Sequence, residues 1–403
     1  MKSKFILSSE KSLFLAARSR ISAFSVLLLF SAAHCKSHGE IPSGPKTTTG
    51  PWGTIEYYEV TVEPPTSILW PDLFATRSYW NFGELSQGEI LSLFEEFEFA
   101  PDLIEKLRND GVWSESETGT EVEIDDKVVE SLTTANRTAM AAWMRANNNE
   151  YFSKQLMNLE IHDEGLLLQR LKPSTVALIQ TVTFLRNNVV SMMDRPYLIR
   201  QLGNDEQEKK ALIRTLFSTR SLLARLVIDE DADIEALADY WSGGGKTPGI
   251  RSLLEGVRNA PGVGKIDLIH LLPPFARKYY CSFIQLDDVN PIGVPDCFWT
   301  SIQFFKARST LRLLDKISID HYLSFDFEEI DGTSTFGDMV VLFNRTDGKF
   351  IHSYVQIAGD LVFTKNGRSF ARPLILTTRE NMMSVYEEGY DFETRIFRRR
   401  PQT

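Results

Sequence analysis

The chain has 403 residues, 43% of them hydrophobic and 24% charged, which is ordinary globular composition with enough apolar material for a sizeable core. A formal net charge of −10 argues against nucleic acid as the main partner. Three cysteines, Cys35, Cys281 and Cys297, are too few for a disulfide framework in so long a chain.

Residues 1–33 read as a signal peptide. Lys2, Lys4, Lys11, Arg18 and Arg20 form a basic region, an apolar stretch runs from Ala23 to Phe30, and Ser31-Ala32-Ala33 supplies small residues for cleavage. The apolar stretch is too short to span a bilayer, so the expectation is an exported protein, periplasmic, in the cell envelope or secreted. Cys35 follows the small residues, but His34 stands where a lipid-attachment site takes Gly, Ala or Ser. Residues 34–79 read as a Gly-, Pro-, Ser- and Thr-rich linker with one alternating strand, Thr54–Val62, closed by Pro64-Pro65.

From 80 to 274 the apolar spacing is helical. Ser86-Gln87-Gly88-Glu89 is a capping box, Pro101-Asp102 opens a short helix, and further helices are expected over 134–147, 174–187, 205–228, 234–241 and 250–259. No motif in this region carries chemistry, and its helices read as packing. Residues 275–403 change character. Strand-like runs appear at 279–284, 322–327, 339–343, 353–358, 361–363 and 374–376, with turns at Asp347-Gly348 and Ala358-Gly359-Asp360. One helix followed by an antiparallel meander is an α+β arrangement.

The helix of that region opens with Pro295-Asp296-Cys297, placing Asp296 at the N-cap and the Cys297 thiol in the first turn of an amphipathic run to Leu314. There the helix dipole favours the thiolate, the attacking form. Phe336-Gly337-Asp338-Met339-Val340-Val341 follows, and then His352 opens a strand. A cysteine on a helix start and a histidine on a strand is the layout of a nucleophile–base pair. In this order the residues resemble the NlpC family of papain-like cell-wall endopeptidases, with the CHAP amidases as a close alternative. The resemblance spans about 290–370: Asp296-Cys297, then Gly337-Asp338-Met339-Val340-Val341, then His352-Ser353-Tyr354-Val355-Gln356-Ile357-Ala358, and then a turn and Leu361-Val362-Phe363.

The resemblance implies a papain-like domain over 275–403, a helix packed on an antiparallel sheet. It also implies hydrolysis of an amide, in a peptidoglycan peptide or another amide substrate, with Cys297 as nucleophile and His352 as base. The third catalytic position falls by spacing on Thr364, with Asn366 the chemically better alternative nearby. The chain departs from the family at Phe298-Trp299, where Ser-Gly is usual. The alternative is a non-catalytic envelope protein that keeps a degenerate papain-like domain for binding or structure. A third possibility silences the thiol in a Cys281–Cys297 disulfide, which export permits.

Other patterns fall short. Gly243-Gly244-Gly245-Lys246-Thr247 resembles the end of a phosphate loop, but Tyr240 stands where glycine is required and Pro248 follows, so no nucleotide is expected; Gly262-Val263-Gly264-Lys265 has the same weakness. His270, Cys281, Cys297 and His321 contain no close pair at zinc spacing, so neither metal nor cofactor is expected. Asn136-Arg137-Thr138 and Asn344-Arg345-Thr346 match the short glycosylation triplet. Arg395, Arg398, Arg399 and Arg400 read as a solvated basic tail, or one held by an acidic surface of the same protein.

Overall fold

The computed structural model describes residues 44–65, 78–116, 119–147, 157–158, 170–186, 189–284, 295–308, 316–346, 348–367, 371–384, 386 and 391–400. The signal-like segment, Cys35 and the start of the linker lie outside them.

The linker reading is corrected at its end. Lys46–Gly50 is a strand, β1, that folds through Pro51-Trp52 onto β2, Gly53–Val62, in an antiparallel hairpin. Three consecutive threonines carry it, since β-branched side chains suit a pleated surface.

The helical region is also less uniform than its periodicity predicts. Its elements are β3 (Tyr79–Asn81), α1 (Gln87–Glu96), α2 (Pro101–Asp110), β4 (Val112–Ser116), β5 (Gly119–Glu123), α3 (Asp126–Ser131), α4 (Thr134–Ala146), β6 (Met157–Asn158), α5 (Pro173–Val182), β7 (Thr183–Arg186), β8 (Val189–Met192), α6 (Arg195–Gln201) and α7 (Glu206–Phe217). The Ser86 box forms in both directions: Ser86 N donates to Glu89 at 2.9 Å while the Ser86 hydroxyl accepts from Glu89 N. Two small three-stranded sheets, in the orders β3-β5-β4 and β6-β8-β7, interrupt the helices. All of this closes around a core that includes Trp80, Phe94, Val122, Met140, Phe184 and Leu212. Inside it Arg137 donates to Asp194 at 2.9 Å, with both side chains at most 4% exposed, and Trp80 Nε1 donates to the same carboxylate at 3.1 Å.

The helix expected over 205–228 stops at Ser218. Beyond it comes a nine-residue strand, β9 (Thr219–Val227), in which buried Leu222, Ala224 and Leu226 alternate with exposed Leu223 and Arg225. That is the two-residue period of a half-buried strand. β9 pairs with β2 along its whole length, and a sheet ordered β1-β2-β9-β10 results, with β10 at Lys265–Asp267. Between β9 and β10 lie α8 (Ile234–Ser242) and α9 (Ile250–Asn259), and α10 (Pro274–Tyr279) follows.

The last part holds α11 (Cys297–Gln303), α12 (Lys316–Asp326), β11 (Phe327–Ile330), β12 (Met339–Asn344), β13 (Phe350–Ala358), β14 (Leu361–Lys365), β15 (Leu374–Thr378), α13 (Arg379–Met383) and β16 (Phe392–Arg399). Six strands pair antiparallel in the order β11-β16-β12-β13-β14-β15. Mixed helices and antiparallel sheets agree with the α+β class at that level. Three local expectations change. Residues 322–326 belong to a helix. The 279–284 stretch contributes a single bridge, Ser282 with Leu374. The arginine-rich segment is no tail: it is β16, an inner strand, whose Arg398 donates to Asp338 at 2.7 and 2.9 Å.

The strands β12 to β15 of this sheet are buried on both faces. On one, Met339, Val341, Val355, Ile357 and Phe363 share a core with α8, α9, α10, α11 and the inner face of the β2/β9 sheet, including Ile55, Leu222, Trp241 and Phe275. On the other, Val340, Leu342, Tyr354 and Val362 pack with Met382 and Met383 of α13. The core around Trp241 therefore draws on residues well before 275.

Candidate functional site

α11 begins as its sequence predicts. The Asp296 carboxylate accepts from Trp299 N at 3.0 Å, and Thr300 donates back to the Asp296 carbonyl at 2.8 Å. All seven residues of the helix are buried. Trp299 is wedged edge-on against Phe275 and Tyr279, at ring separations of 5.0 and 5.9 Å, and Phe298 against Phe350 at 5.2 Å. Cys297 is thus 6% exposed. The helix start was expected to lower its pKa. Instead burial, with the Asp296 charge added, pushes the thiol up to about 12. A seven-residue helix has a weak dipole, and desolvating a thiolate costs more than that dipole returns.

His352 and Thr364 do come together. Thr364 Oγ1 lies 3.1 Å from His352 Nε2 and 3.1 Å from the Ser353 carbonyl. The one hydroxyl hydrogen goes to that carbonyl, so Thr364 accepts from His352, which places the imidazole proton on Nε2. Nδ1 is then a bare acceptor, buried without a partner. The ring stacks on Tyr386, with centroids 4.2 Å apart. Burial alone drives the imidazole pKa down to about 3. Asn366, the alternative third residue, has its own Oδ1 buried and unpartnered.

Cys297 is on the other side of the sheet. Neighbouring residues of a strand point to opposite faces. His352 pairs with Leu342 and stacks on Tyr386, both on the α13 face. Ser353, one residue on, points to α11, its hydroxyl 3.0 Å from that of Ser301. The groups that act on the Cys297 thiol are the Asp296 charge, the backbone of Ser353 and Phe298 and the Lys365 charge, and no imidazole is among them. The sheet therefore stands between the thiol and the imidazole that the sequence pairs with it.

The residue that shares the thiol's face is one the sequence reading passed over. Lys365, in the same parity as Leu361 and Phe363, is fully buried, and its Nζ donates to the Gly367 carbonyl at 2.8 Å. Burial lowers its amine to about pKa 7, while the charges of Asp296 and Cys297 act in the opposite direction. A buried lysine with a pKa near neutrality is able to take or give a proton. Its signal in the sequence is only its place, one residue after Thr364.

Cys281 is a separate free thiol, 3.2 Å from the Ser221 hydroxyl, and Cys297 is free as well. Asn136 of the first glycosylation triplet is buried, with its amide nitrogen donating to the carbonyls of Phe97 and Glu98. Among the described residues no helix is long and apolar enough to cross a membrane, and no group of three His, Cys, Asp or Glu is placed to hold a metal ion. Comparison with known proteins finds no matching family model, no matching curated protein and no matching solved structure.

Proposed function

We propose that this is an exported envelope protein in which the C-terminal α+β region, resembling papain-like hydrolases in its motif order, serves as a non-catalytic binding or structural module. The observation that carries this reading is the position of the six-stranded sheet between Cys297 and His352. A base acts on a nucleophile within hydrogen-bond reach, and here each group is buried in a different core. Both are also held in their neutral forms, a thiol at about pKa 12 and an imidazole at about 3.

A second reading is favoured by Lys365 alone. It keeps amide hydrolysis of a peptidoglycan peptide, with Cys297 as nucleophile and Lys365 as the base on the same face.

Alkylation of the full chain by iodoacetamide separates the two, with the modified cysteine located by mass spectrometry. For the non-catalytic module, Cys297 reacts only at the rate of unfolding, and neither His352→Ala nor Lys365→Met alters this beyond its effect on stability. Rapid labelling that rises through pH 7 and disappears in Lys365→Met would establish the cysteine–lysine pair and overturn the first reading.

A further inference from the structure

The glycine run after α8 fails as a phosphate loop, yet its lysine belongs to a cluster of cations drawn from three separate parts of the chain. Lys246 ends that run, Lys306 lies just past α11, and Arg399 is the last residue of β16. Backbone from two loops fixes the ring on which the first of them rests. A Cβ on Gly243 would come within 2.9 Å of the Phe305 ring, and one on Gly337 closer still. Lys246 Nζ lies over that ring, 5.3 Å from its centre, and Lys306 Nζ lies 5.1 Å from the centre of the Tyr322 ring. Both are cation–π distances, and they hold the two amines in place.

The three cations are short of counter-charge. Among the described residues neither lysine forms an ion pair or a side-chain hydrogen bond. Arg399 is only 7% exposed, makes no side-chain hydrogen bond to a described residue, and has one carboxylate, Asp326, at 4.0 Å. A guanidinium so far out of water is ordinarily held in a close, hydrogen-bonded pair. Its nitrogens are not sealed in, since none belongs to the buried atoms left without a partner. The adjacent Arg398 is already matched by Asp338 at 2.7 Å, with Glu328 opposite it on β11. Burial lowers the amine pKa of Lys246 and Lys306, and the Arg399 charge lowers both further; Asp338 and Glu328 oppose this at Lys246, and Asp326 opposes it at Lys306. The cations therefore lie near enough to repel one another, in a chain whose formal net charge is −10.

An anion that bridges the three would relieve that repulsion. A carboxylate brings one charge and two oxygens. A phosphate monoester brings close to two charges and three acceptor oxygens, enough for both amines and the planar fork of the guanidinium. We propose that Lys246, Lys306 and Arg399 bind the phosphoryl group of a phosphate monoester, carried by a soluble ester or by a lipid headgroup of the phosphatidic acid type. The cluster lies past the C-terminal end of α11, whereas Cys297 opens that helix, so the site stands under either reading above.

Isothermal titration of the full chain at pH 7.5 and low salt tests it, with glycerol 3-phosphate, dihexanoyl phosphatidic acid and dimethyl phosphate as probes. Saturable binding of the monoesters at about millimolar strength or tighter is expected, with the singly charged diester roughly tenfold weaker. Equal binding of the two monoesters assigns a soluble ester, and much tighter binding of the lipid assigns a headgroup. Lys246→Met and Lys306→Met keep the apolar stem and remove the charge, and each is expected to weaken binding roughly tenfold. Without ligand both variants are expected to melt no lower than the parent, because the lost amine had no partner. Lys127→Met, an exposed lysine of α3, serves as the control for net charge and is expected to change nothing. The proposal is overturned by an absence of saturable heat with either monoester, by equal binding of dimethyl phosphate, or by a Lys127→Met loss as large as that of the other two.

Discussion

His352 and Ser353 are adjacent in β13, yet one stacks on Tyr386 beneath α13 and the other meets Ser301 of α11. The buried imidazole carries a consequence for stability. Its folded-state pKa lies far below that of the unfolded chain, so protonation favours unfolding. The stability it sustains is complete above the unfolded pKa of about 6.5 and is lost progressively as the pH falls from there towards 3. Between pH 7 and pH 5 the loss from this group is about 2 kcal/mol. Urea denaturation across that range is expected to show it, and His352→Phe, which keeps the stack on Tyr386, is expected to reduce it. A pH dependence identical in the two proteins would refute the assignment. At the Arg137–Asp194 pair a single deletion is costlier. Asp194→Ala leaves a guanidinium buried in the first core, and a loss of about 3–5 kcal/mol in urea midpoint analysis is expected.

Elements were legible in the sequence where a cap or a turn marked them. The Ser86 box, the proline that opens α2, the Asp296 cap and the hairpin glycine at 359 all lie where local chemistry put them. What the sequence hid was orientation. β13 and β14 are buried on both faces, so apolar residues run through them without a polar alternation to show which side chains face α11. That is why Cys297 was paired with His352 rather than placed beside Ser353 and Lys365. β16 was hidden for the opposite reason. Its three arginines, 395, 398 and 399, look solvated in the sequence, but Arg398 is committed to Asp338, whose side chain is only 4% exposed. Arg398→Ala is expected to cost about 2 kcal/mol, since Asp338 keeps only its Thr335 contacts; a change below about 0.5 kcal/mol by denaturant titration would count the pair as an ordinary surface one.

On the scale of the whole described chain, the sequence boundary at 274/275 does not coincide with the packing. Among the described residues, the core over 78–217 draws Phe283 and Ala371 from outside that span, with the partly buried Val62 packed against it. The other core binds Ile55 of β2, Leu222 of β9 and Trp241 of α8 to the face of the six-stranded sheet. A fragment of residues 275–403 therefore exposes a wide apolar face and is expected to bind a hydrophobic dye and melt without a cooperative transition. A 78–217 fragment is expected to unfold cooperatively. Calorimetry of the two fragments decides the point, and cooperative melting of 275–403 would restore the sequence boundary. Long-range pairings such as β2 with β9, whose registered partners Val62 and Thr219 are far apart along the chain, leave no local trace for a sequence reading to find.

The position of β16 has a bearing on how the protein is made. It is the last strand in chain order, and it lies between β11 and β12. Until residues 392–399 have been synthesised, those two strands have nothing between them, and the facing edges of each remain open. Antiparallel sheets with open edges are prone to pair with other chains. The six-stranded sheet thus closes only once β16 is available, and until then the chain depends on whatever shields those edges.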